Sequence, residues 1–258
     1  MCPRSLELDG VARRLLDAHR NRAPIETAGS LPLEDAYAAQ ECLVELLQAT
    51  LGRRPIGWKV GLTSLASQEM FGAGGPVYGR LLSDPRSPDD EEVRLAELIA
   101  PRLECELAFF LGGDLRGPDV RPEDVLRSTA WIAPAFEIVD SRIRDWKLGL
   151  ADLVADNTCA SGYVVGAPCP VPDRDLGLVR VVLYKDGSRC ATGTGTEVLG
   201  DPARSVAWLA NELVRSGRHL AGGELVLAGS FCPAVPVTPG DTFRADFADV
   251  GGVSVHFS

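Results

Sequence analysis

Residues 101–111, PRLECELAFFL, decide how the fold is interpreted, because this apolar run carries two glutamates one residue apart. If residues 103–111 form a strand, Glu104 and Glu106 point to the same face, about 6–7 Å apart along the chain. Two carboxylates on one buried face lose hydration and repel each other, which raises the pKa of both carboxyl groups unless a cation lies between them. A strand with one hydrated face is the simpler interpretation. However, the run LAFFL that follows is apolar on both faces, which argues against it.

A third carboxylate adds weight to a cation site. Glu137 is the single acid in WIAPAFEIV, residues 131–139. Together with Glu104 and Glu106 it offers oxygen ligands only, and these suit a hard divalent cation such as Mg²⁺ or Mn²⁺. Three side-chain ligands would leave coordination positions open for water or for a substrate.

Length and charge limit the possible partners. The chain has 258 residues, of which 45% are hydrophobic, and we expect one catalytic domain over residues 1–258. Its net charge is −10, from 36 acidic and 26 basic residues. Because nucleic acids and anionic membranes are bound by basic surfaces, neither is expected as a partner.

The cysteines and the N-terminus indicate the compartment. The seven cysteines are odd in number and scattered, without C-x-x-C spacing, so a zinc site or a disulfide framework is not expected. The first 20 residues alternate apolar and charged side chains, unlike a signal peptide. No apolar run is long enough for a transmembrane helix. We therefore expect a cytoplasmic protein.

The apolar pattern changes near residue 55. Before it, apolar residues recur at helical spacing, which predicts a helical N-terminal region over residues 1–55. After it, short apolar runs separated by Gly, Pro and Asp predict strands, with a hairpin turn at residues 185–187. One further helix is predicted between Asp201 and Gly217. Strands and helices do not alternate regularly, so the predicted fold class is α+β, with a mostly antiparallel, rolled sheet over residues 56–258.

Lys59 lies inside the strand-like run IGWKVGLTS, residues 56–64. A lysine in such a run is usually a surface residue whose ammonium reaches water. The alternative is a partly buried general acid or base whose pKa is set by its surroundings. Glycines on both sides of Lys59 permit a backbone or a ligand to approach closely.

Six segments in order along the chain resemble the fumarylacetoacetate hydrolase superfamily, in particular its branch of hydratases and decarboxylases of 2-oxo and 2-hydroxydienoic acids. They are GWKVGLTS (57–64), PVYGRL (76–81), PRLECELAFFL (101–111), PAFEIVDSRIRDW (134–146), VADNTCASG (154–162) and AGSFCPAVPVTPGD (228–241). The resemblance implies a mixed sheet curled into a β-roll with helices outside. It also implies a homo-oligomer, and it allows association with a partner enzyme of the same pathway.

The same resemblance implies roles for particular residues. An E-x-E pair and a later glutamate hold Mg²⁺ or Mn²⁺ in that family, so the implied metal ligands are Glu104, Glu106 and Glu137. The implied acid/base is Lys59, and the further catalytic candidates are Tyr78 and Asp156. The candidates for substrate binding are Thr63, Arg142, Ser161 and Ser230. Plain turn roles stay open for the serines, as does a salt-bridged or solvated role for Arg142.

The implied activity is that of a metal-dependent lyase acting through an enolate, and alternatives stay open. The first is hydration of 2-hydroxypenta-2,4-dienoate to a 4-hydroxy-2-oxo acid, which the SRIRDW and GWKVGLT segments favour. The second is decarboxylation of a 4-oxalocrotonate-type substrate, which Val77 favours because hydratases typically carry an aspartate at that position. The third is an inactive metal-binding subunit of a partner enzyme, although the presence of Lys59 with all three glutamates argues against it.

Overall fold

The computed structural model describes residues 6–83 and 92–258. Its helices are α1 (Leu6–Asn21), α2 (Leu33–Leu51), α3 (Leu65–Phe71), α4 (Pro122–Ser128), α5 (Leu150–Ala155) and α6 (Pro202–Glu212). The first six strands are β1 (Pro55–Gly61), β2 (Val77–Leu82), β3 (Glu92–Val93), β4 (Arg102–Leu111), β5 (Thr129–Val139) and β6 (Ala160–Val165). The remaining strands are β7 (Arg180–Lys185), β8 (Ser188–Thr194), β9 (Leu225–Ser230), β10 (Val235–Pro236), β11 (Thr242–Phe247) and β12 (Gly251–Phe257).

The strands form two sheets. The larger has the order β2-β1-β9-β4-β5-β6, with β10 paired to β4, and the smaller has the order β3-β12-β11-β7-β8. Among the described pairs, β1–β9 and β3–β12 are parallel and the others are antiparallel. The predicted α+β class with a mixed, mostly antiparallel sheet is therefore confirmed.

The main core lies between the two sheets, and β4 shows why the sequence folds this way. Its alternate residues Leu103, Cys105, Leu107 and Phe109 are fully buried in one hydrophobic cluster with Phe243 of the smaller sheet. The predicted alternation along residues 103–111 is confirmed, because Glu104 and Glu106 occupy the opposite face of the strand. We call that opposite face of the larger sheet the glutamate face.

Helices α1 and α2 cover one end of the glutamate face. Leu15 of α1 and Leu43 of α2 share a second hydrophobic cluster with Val77 of β2, Val139 of β5 and Leu153 of α5. Helix α2 ends at Gly52 in the left-handed conformation, with φ of 68°, and β1 begins three residues later. The predicted helical N-terminal region is thus confirmed, and its packing seals the sheet face on which the acidic residues lie.

The predicted helix after residue 201 and the predicted turn are also present. Asp201 caps α6 by accepting a hydrogen bond from the Ala203 N–H at 2.6 Å, and Gly187 forms the β7–β8 turn with φ of 77°. The periodicity of the sequence did not reveal α3, α4 and α5, because six or seven residues are too few to display a helical stripe. Among the described residues, every helix is too short or too polar to cross a lipid bilayer.

Candidate active site

Three glutamates converge on the glutamate face. The antiparallel pairing of β4 and β5 sets Glu104 directly opposite Glu137, and Glu106 follows two residues further along β4. One carboxylate oxygen from each lies within 4.8 Å of the others. Glu106 and Glu137 are completely buried, and Glu104 is partly exposed, so the cluster opens towards solvent at Glu104.

Some of the carboxylate oxygens of these glutamates lack hydrogen-bond partners. Glu106 Oε2 accepts a hydrogen bond from the Gly229 N–H at 2.7 Å. In the described part of the chain, Glu106 Oε1 and Glu137 Oε2 have no hydrogen-bond donor. Burial raises the pKa of Glu104 and of Glu106, and it raises the pKa of Glu137 to about 7. Buried polar atoms without partners are uncommon, and these are oriented to receive a cation.

Lys59 of β1 supplies the positive charge closest to the cluster. Its Nζ lies 3.1 Å from Glu137 Oε1 and donates a hydrogen bond to the Thr158 carbonyl oxygen at 3.1 Å. The side chain is only 3% exposed. Burial would lower the pKa of Lys59, but the three glutamates together outweigh burial and raise this pKa above its ordinary value. Lys59 therefore carries a proton.

The charge balance tests whether a metal fits this site. When all three carboxylates are ionised, as metal binding requires, they face one ammonium and leave two uncompensated negative charges in a buried place. A divalent cation would neutralise both, and it would give the unpartnered oxygens their ligand. The donors are all oxygen atoms, as hard cations require. The residues present therefore fit a divalent cation.

The surroundings of Glu106 include Thr63 and Ser230, both candidates for substrate binding. Gly229, whose N–H contacts Glu106, has φ of 118°. If this glycine carried a side chain, its Cβ atom would lie 2.5 Å from Thr63 Oγ1. Thr63 thus lies beside the cluster, and its role in substrate binding stays a prediction. The hydroxyl of Ser230 instead donates to the Cys232 carbonyl oxygen at 2.7 Å. This contact stabilises the chain after β9 and gives no support to substrate binding by Ser230.

The structure places Tyr78 away from Lys59 and gives no support to its predicted catalytic role. In the β1–β2 pair, Tyr78 is opposite Val60, whereas Lys59 is opposite Gly79. Because side chains alternate along a strand, Tyr78 points to the face opposite Lys59. Its ring stacks on Tyr37, with centroids 4.4 Å apart, and belongs to the main core. The sequence alone could not reveal this, since the register of β1 and β2 decides it.

Buried Asp156 and Arg142 form a separate cluster with half-buried Ser161. The Arg142 guanidinium pairs with Asp156 through Nε, and its Nη1 donates to the Asp140 carbonyl oxygen and to Ser161 Oγ, each at 2.7 Å. Burial raises the pKa of Asp156 to about 6, and the charge of Arg142 opposes this rise. These contacts join the β5 end to the segment after α5. Among the described contacts, none joins Asp156 to Lys59, and most of the N–H donors of Arg142 are already used within this cluster.

Sequence reasoning missed one contact of the site. The Thr158 carbonyl oxygen holds Lys59, yet a backbone atom has no signature in the sequence. Val77 also lies on the glutamate face, where it is 2% exposed. A Cβ atom on Gly61 would lie 3.4 Å from Val77 Cγ2 and 3.8 Å from Lys59 Nζ, so Val77 forms part of the wall around Lys59.

Known proteins resemble this chain along its length. It is 40% identical over 247 residues to the 2-hydroxyhexa-2,4-dienoate hydratase of Comamonas testosteroni, covering 94% of this chain and 93% of that protein. It is 38% identical over 252 residues to a 2-keto-4-pentenoate hydratase of Paraburkholderia xenovorans strain LB400, covering 95% and 93% of the two chains.

A solved structure is similar as well. The 4-oxalocrotonate decarboxylase of Pseudomonas putida G7, complexed with magnesium and adipate, superposes with a TM-score of 0.93 at 31% identity, covering 99% of this chain and all of that one. The family model for the fumarylacetoacetate (FAA) hydrolase C-terminal region matches residues 85–257, about two thirds of the sequence. The predicted resemblance is therefore confirmed, and the chain belongs to the fumarylacetoacetate hydrolase family.

Proposed function

We propose that this protein is a divalent-metal-dependent lyase of 2-oxo acids, and that it hydrates 2-hydroxypenta-2,4-dienoate or a close relative to a 4-hydroxy-2-oxo acid. The observation that carries the proposal is the buried cluster of three glutamates within 4.8 Å, with Lys59 Nζ at 3.1 Å from one of them. The hydratases that resemble the chain at 38–40% identity support this choice of reaction.

In this proposal the three glutamates hold the cation, and the ion is Mg²⁺ or Mn²⁺, which both accept oxygen ligands. When bound, the cation supplies positive charge that favours negative charge on the 2-oxygen of the substrate. Thr63, beside Glu106, is the proposed hydrogen-bonding residue for the substrate at the edge of this cluster.

Lys59 is the proposed proton carrier. An ammonium group has three N–H donors, and Thr158 and Glu137 account for two of them. The third is available for a substrate atom. In hydration, the dienol loses its hydroxyl proton and gains a proton at C5. Water then forms a bond to C4, its surplus proton leaves, and C3 takes up a proton, so one water is consumed overall. Lys59 would transfer a proton at C3.

Val77 favours a second candidate, the decarboxylation of 2-oxo-3-hexenedioate. In that reaction the C5–C6 bond breaks, C6 leaves as CO₂, and the electron pair of the broken bond moves towards the 2-oxygen. No water has to be activated, and an apolar residue beside Lys59 suits such a reaction. The similarity to the 4-oxalocrotonate decarboxylase agrees with this alternative.

Two incubations with Mg²⁺ distinguish the candidates, each repeated with EDTA. With 2-hydroxypenta-2,4-dienoate we expect loss of the dienol absorbance together with formation of the 4-hydroxy-2-oxo acid. Dienol loss without that product would reject the hydratase. Release of CO₂ from 2-oxo-3-hexenedioate would instead support the decarboxylase. Bound metal without turnover of either compound would favour an inactive subunit of a partner enzyme.

We further propose that residues 1–258 act as one catalytic domain, in a homo-oligomer and in the reducing cytoplasm. All six cysteines of the described residues are free thiols, which agrees with a reducing compartment. Light scattering coupled to size-exclusion chromatography would test the oligomer, since a mass near 27.5 kDa would mean a monomer.

A further inference from the structure

The turn that contacts Lys59 has an unusual backbone. Asn157, Thr158 and Cys159 form a short 3₁₀ turn, and their φ angles are 52°, 51° and 57°. Residues other than glycine seldom adopt this left-handed conformation, and a β-branched residue such as Thr158 adopts it least readily. Backbone of this kind persists only where several contacts enforce it, and such places cluster at functional sites.

Strand β2 provides the enforcing contacts. The Asn157 side chain forms two hydrogen bonds with the backbone of Arg80, accepting from its N–H at 2.8 Å and donating to its carbonyl oxygen at 2.9 Å. Thr158 Oγ1 donates to the Tyr78 carbonyl oxygen at 2.8 Å. The turn is thereby fixed to the strand that neighbours β1.

Two glycines make room for the turn on the sheet. A Cβ atom on Gly79 would come within 2.6 Å of the Asn157 carbonyl oxygen, and one on Gly61 would come within 2.8 Å of Thr158 Cγ2. Any larger residue at Gly79 would displace the turn, because the atom it meets belongs to the backbone. Gly79 is also the residue opposite Lys59 in β2.

We propose that Asn157 is a positioning residue for Lys59, acting through the Thr158 carbonyl oxygen. The carbonyl accepts one Lys59 N–H at 3.1 Å and Glu137 attracts a second, so together they orient the third N–H towards the substrate. The catalytic consequence rests on the proposed function, whereas the orientation of the ammonium can be tested without any substrate.

The test compares Asn157→Ala with Asn211→Ala. Asn211 of α6 makes the same pair of hydrogen bonds, accepting from the Val120 N–H and donating to the Val120 carbonyl oxygen, each at 2.9 Å. Asn211 belongs neither to the glutamate cluster nor to the turn. Both variants lose two hydrogen bonds to the backbone, so the control reproduces the structural loss without disturbing Lys59. Asn157→Asp, which keeps the accepting oxygen, provides a milder variant in case the alanine variant does not fold.

The first readout needs no activity. The chain has three lysines, of which Lys147 and Lys185 are 80% and 30% exposed. A slowly exchanging ammonium resonance in a ¹H–¹⁵N spectrum is therefore assigned to Lys59 and checked by its absence in Lys59→Arg. We expect this resonance in the wild type and in Asn211→Ala, and we expect it to be lost in Asn157→Ala.

The second readout is kinetic. We expect kcat of Asn157→Ala to fall about 10- to 100-fold, the effect of a small misplacement of a reacting group, with KM and Mg²⁺ affinity little changed. Gly79→Ala should lower kcat in the same way. Wild-type kcat and a retained resonance in Asn157→Ala would overturn the proposal, as would equal losses in Asn211→Ala. If the wild type turns over neither compound, the proposed function fails, and the resonance still decides the positioning role.

Discussion

Replacing Glu106 by glutamine tests the central physical feature of the site, the concentration of negative charge. Glutamine has the same shape, and its Oε1 can still accept the hydrogen bond from the Gly229 N–H. The substitution therefore removes one charge and leaves the packing intact. We expect the metal-free protein to become more stable and to lose its response to Mg²⁺.

The expected size follows from the geometry. Two like charges within 4.8 Å repel by about 3 kcal/mol at an effective dielectric constant near 20. Proton uptake by the glutamates reduces this repulsion. We therefore expect the free energy of unfolding of Glu106→Gln without metal to rise by about 1–3 kcal/mol at pH 8. The raised carboxyl pKa values mean that the native state binds more protons than the unfolded state above the ordinary carboxyl pKa. Stability of the metal-free wild type must therefore fall as pH rises, and the advantage of the variant must grow.

Urea unfolding in EDTA and in excess Mg²⁺ measures both effects. Mg²⁺ at 100 times its Kd stabilises the wild type by about 2.7 kcal/mol, and the variant should show little of this gain. Asp152→Asn is the matched control, because buried Asp152 accepts hydrogen bonds from Thr27 Oγ1 and from the N–H groups of Ala28 and Gly149. This control should be destabilised equally with and without Mg²⁺. A metal-free Glu106→Gln that is less stable than the wild type, or an undiminished response to Mg²⁺, would refute the reasoning.

Three further predictions concern the same site. Lys59→Ala should retain Mg²⁺ binding and lower kcat by about 10²- to 10⁴-fold, as measured by calorimetry and turnover. Exposed Lys147→Ala should leave both Mg²⁺ binding and kcat unchanged, and full activity of Lys59→Ala would exclude its acid/base role. Binding of Mg²⁺ should release protons and weaken as pH falls from 8 to 6, because the glutamates take up protons when the metal is absent. Calorimetry in two buffers of different ionisation enthalpy measures the number of protons released. A Kd that stays constant between pH 8 and pH 6 would contradict the prediction. Tyr78→Phe should keep kcat within about threefold, because the Tyr78 ring lies on the far face of the sheet and cannot transfer a proton at the site. A hundredfold loss of kcat would instead support a catalytic role for Tyr78.

The strands and the acidic cluster could be predicted because both follow from local alternation. Glu104 and Glu106 had to share a face once residues 103–111 formed a strand. That Glu137 would join them came from the resemblance and from its isolation in an apolar run. The pairing of β4 with β5, which sets Glu104 opposite Glu137, is a long-range fact that local pattern does not contain.

The candidates that lie away from Lys59 and the contact that was missed share a cause. The placement of Tyr78 depends on strand register, and the ion pair of Asp156 with Arg142 depends on contacts between segments 14 residues apart. The Thr158 carbonyl oxygen was missed because any residue provides a carbonyl group. Only the asparagine before it, a residue that tolerates the left-handed conformation, hinted at a special turn.

The layout of β4 and β5 also has a use in protein engineering. The segment that joins these strands through α4 leaves β4 at Leu111, about 17 Å along the strand from Glu106. Pro118 and Asp119 within that segment are exposed. A fluorescent reporter or an immobilisation linker grafted between them would sit far from the acidic cluster. A single inserted residue inside either strand would instead turn one carboxylate towards the hydrophobic core.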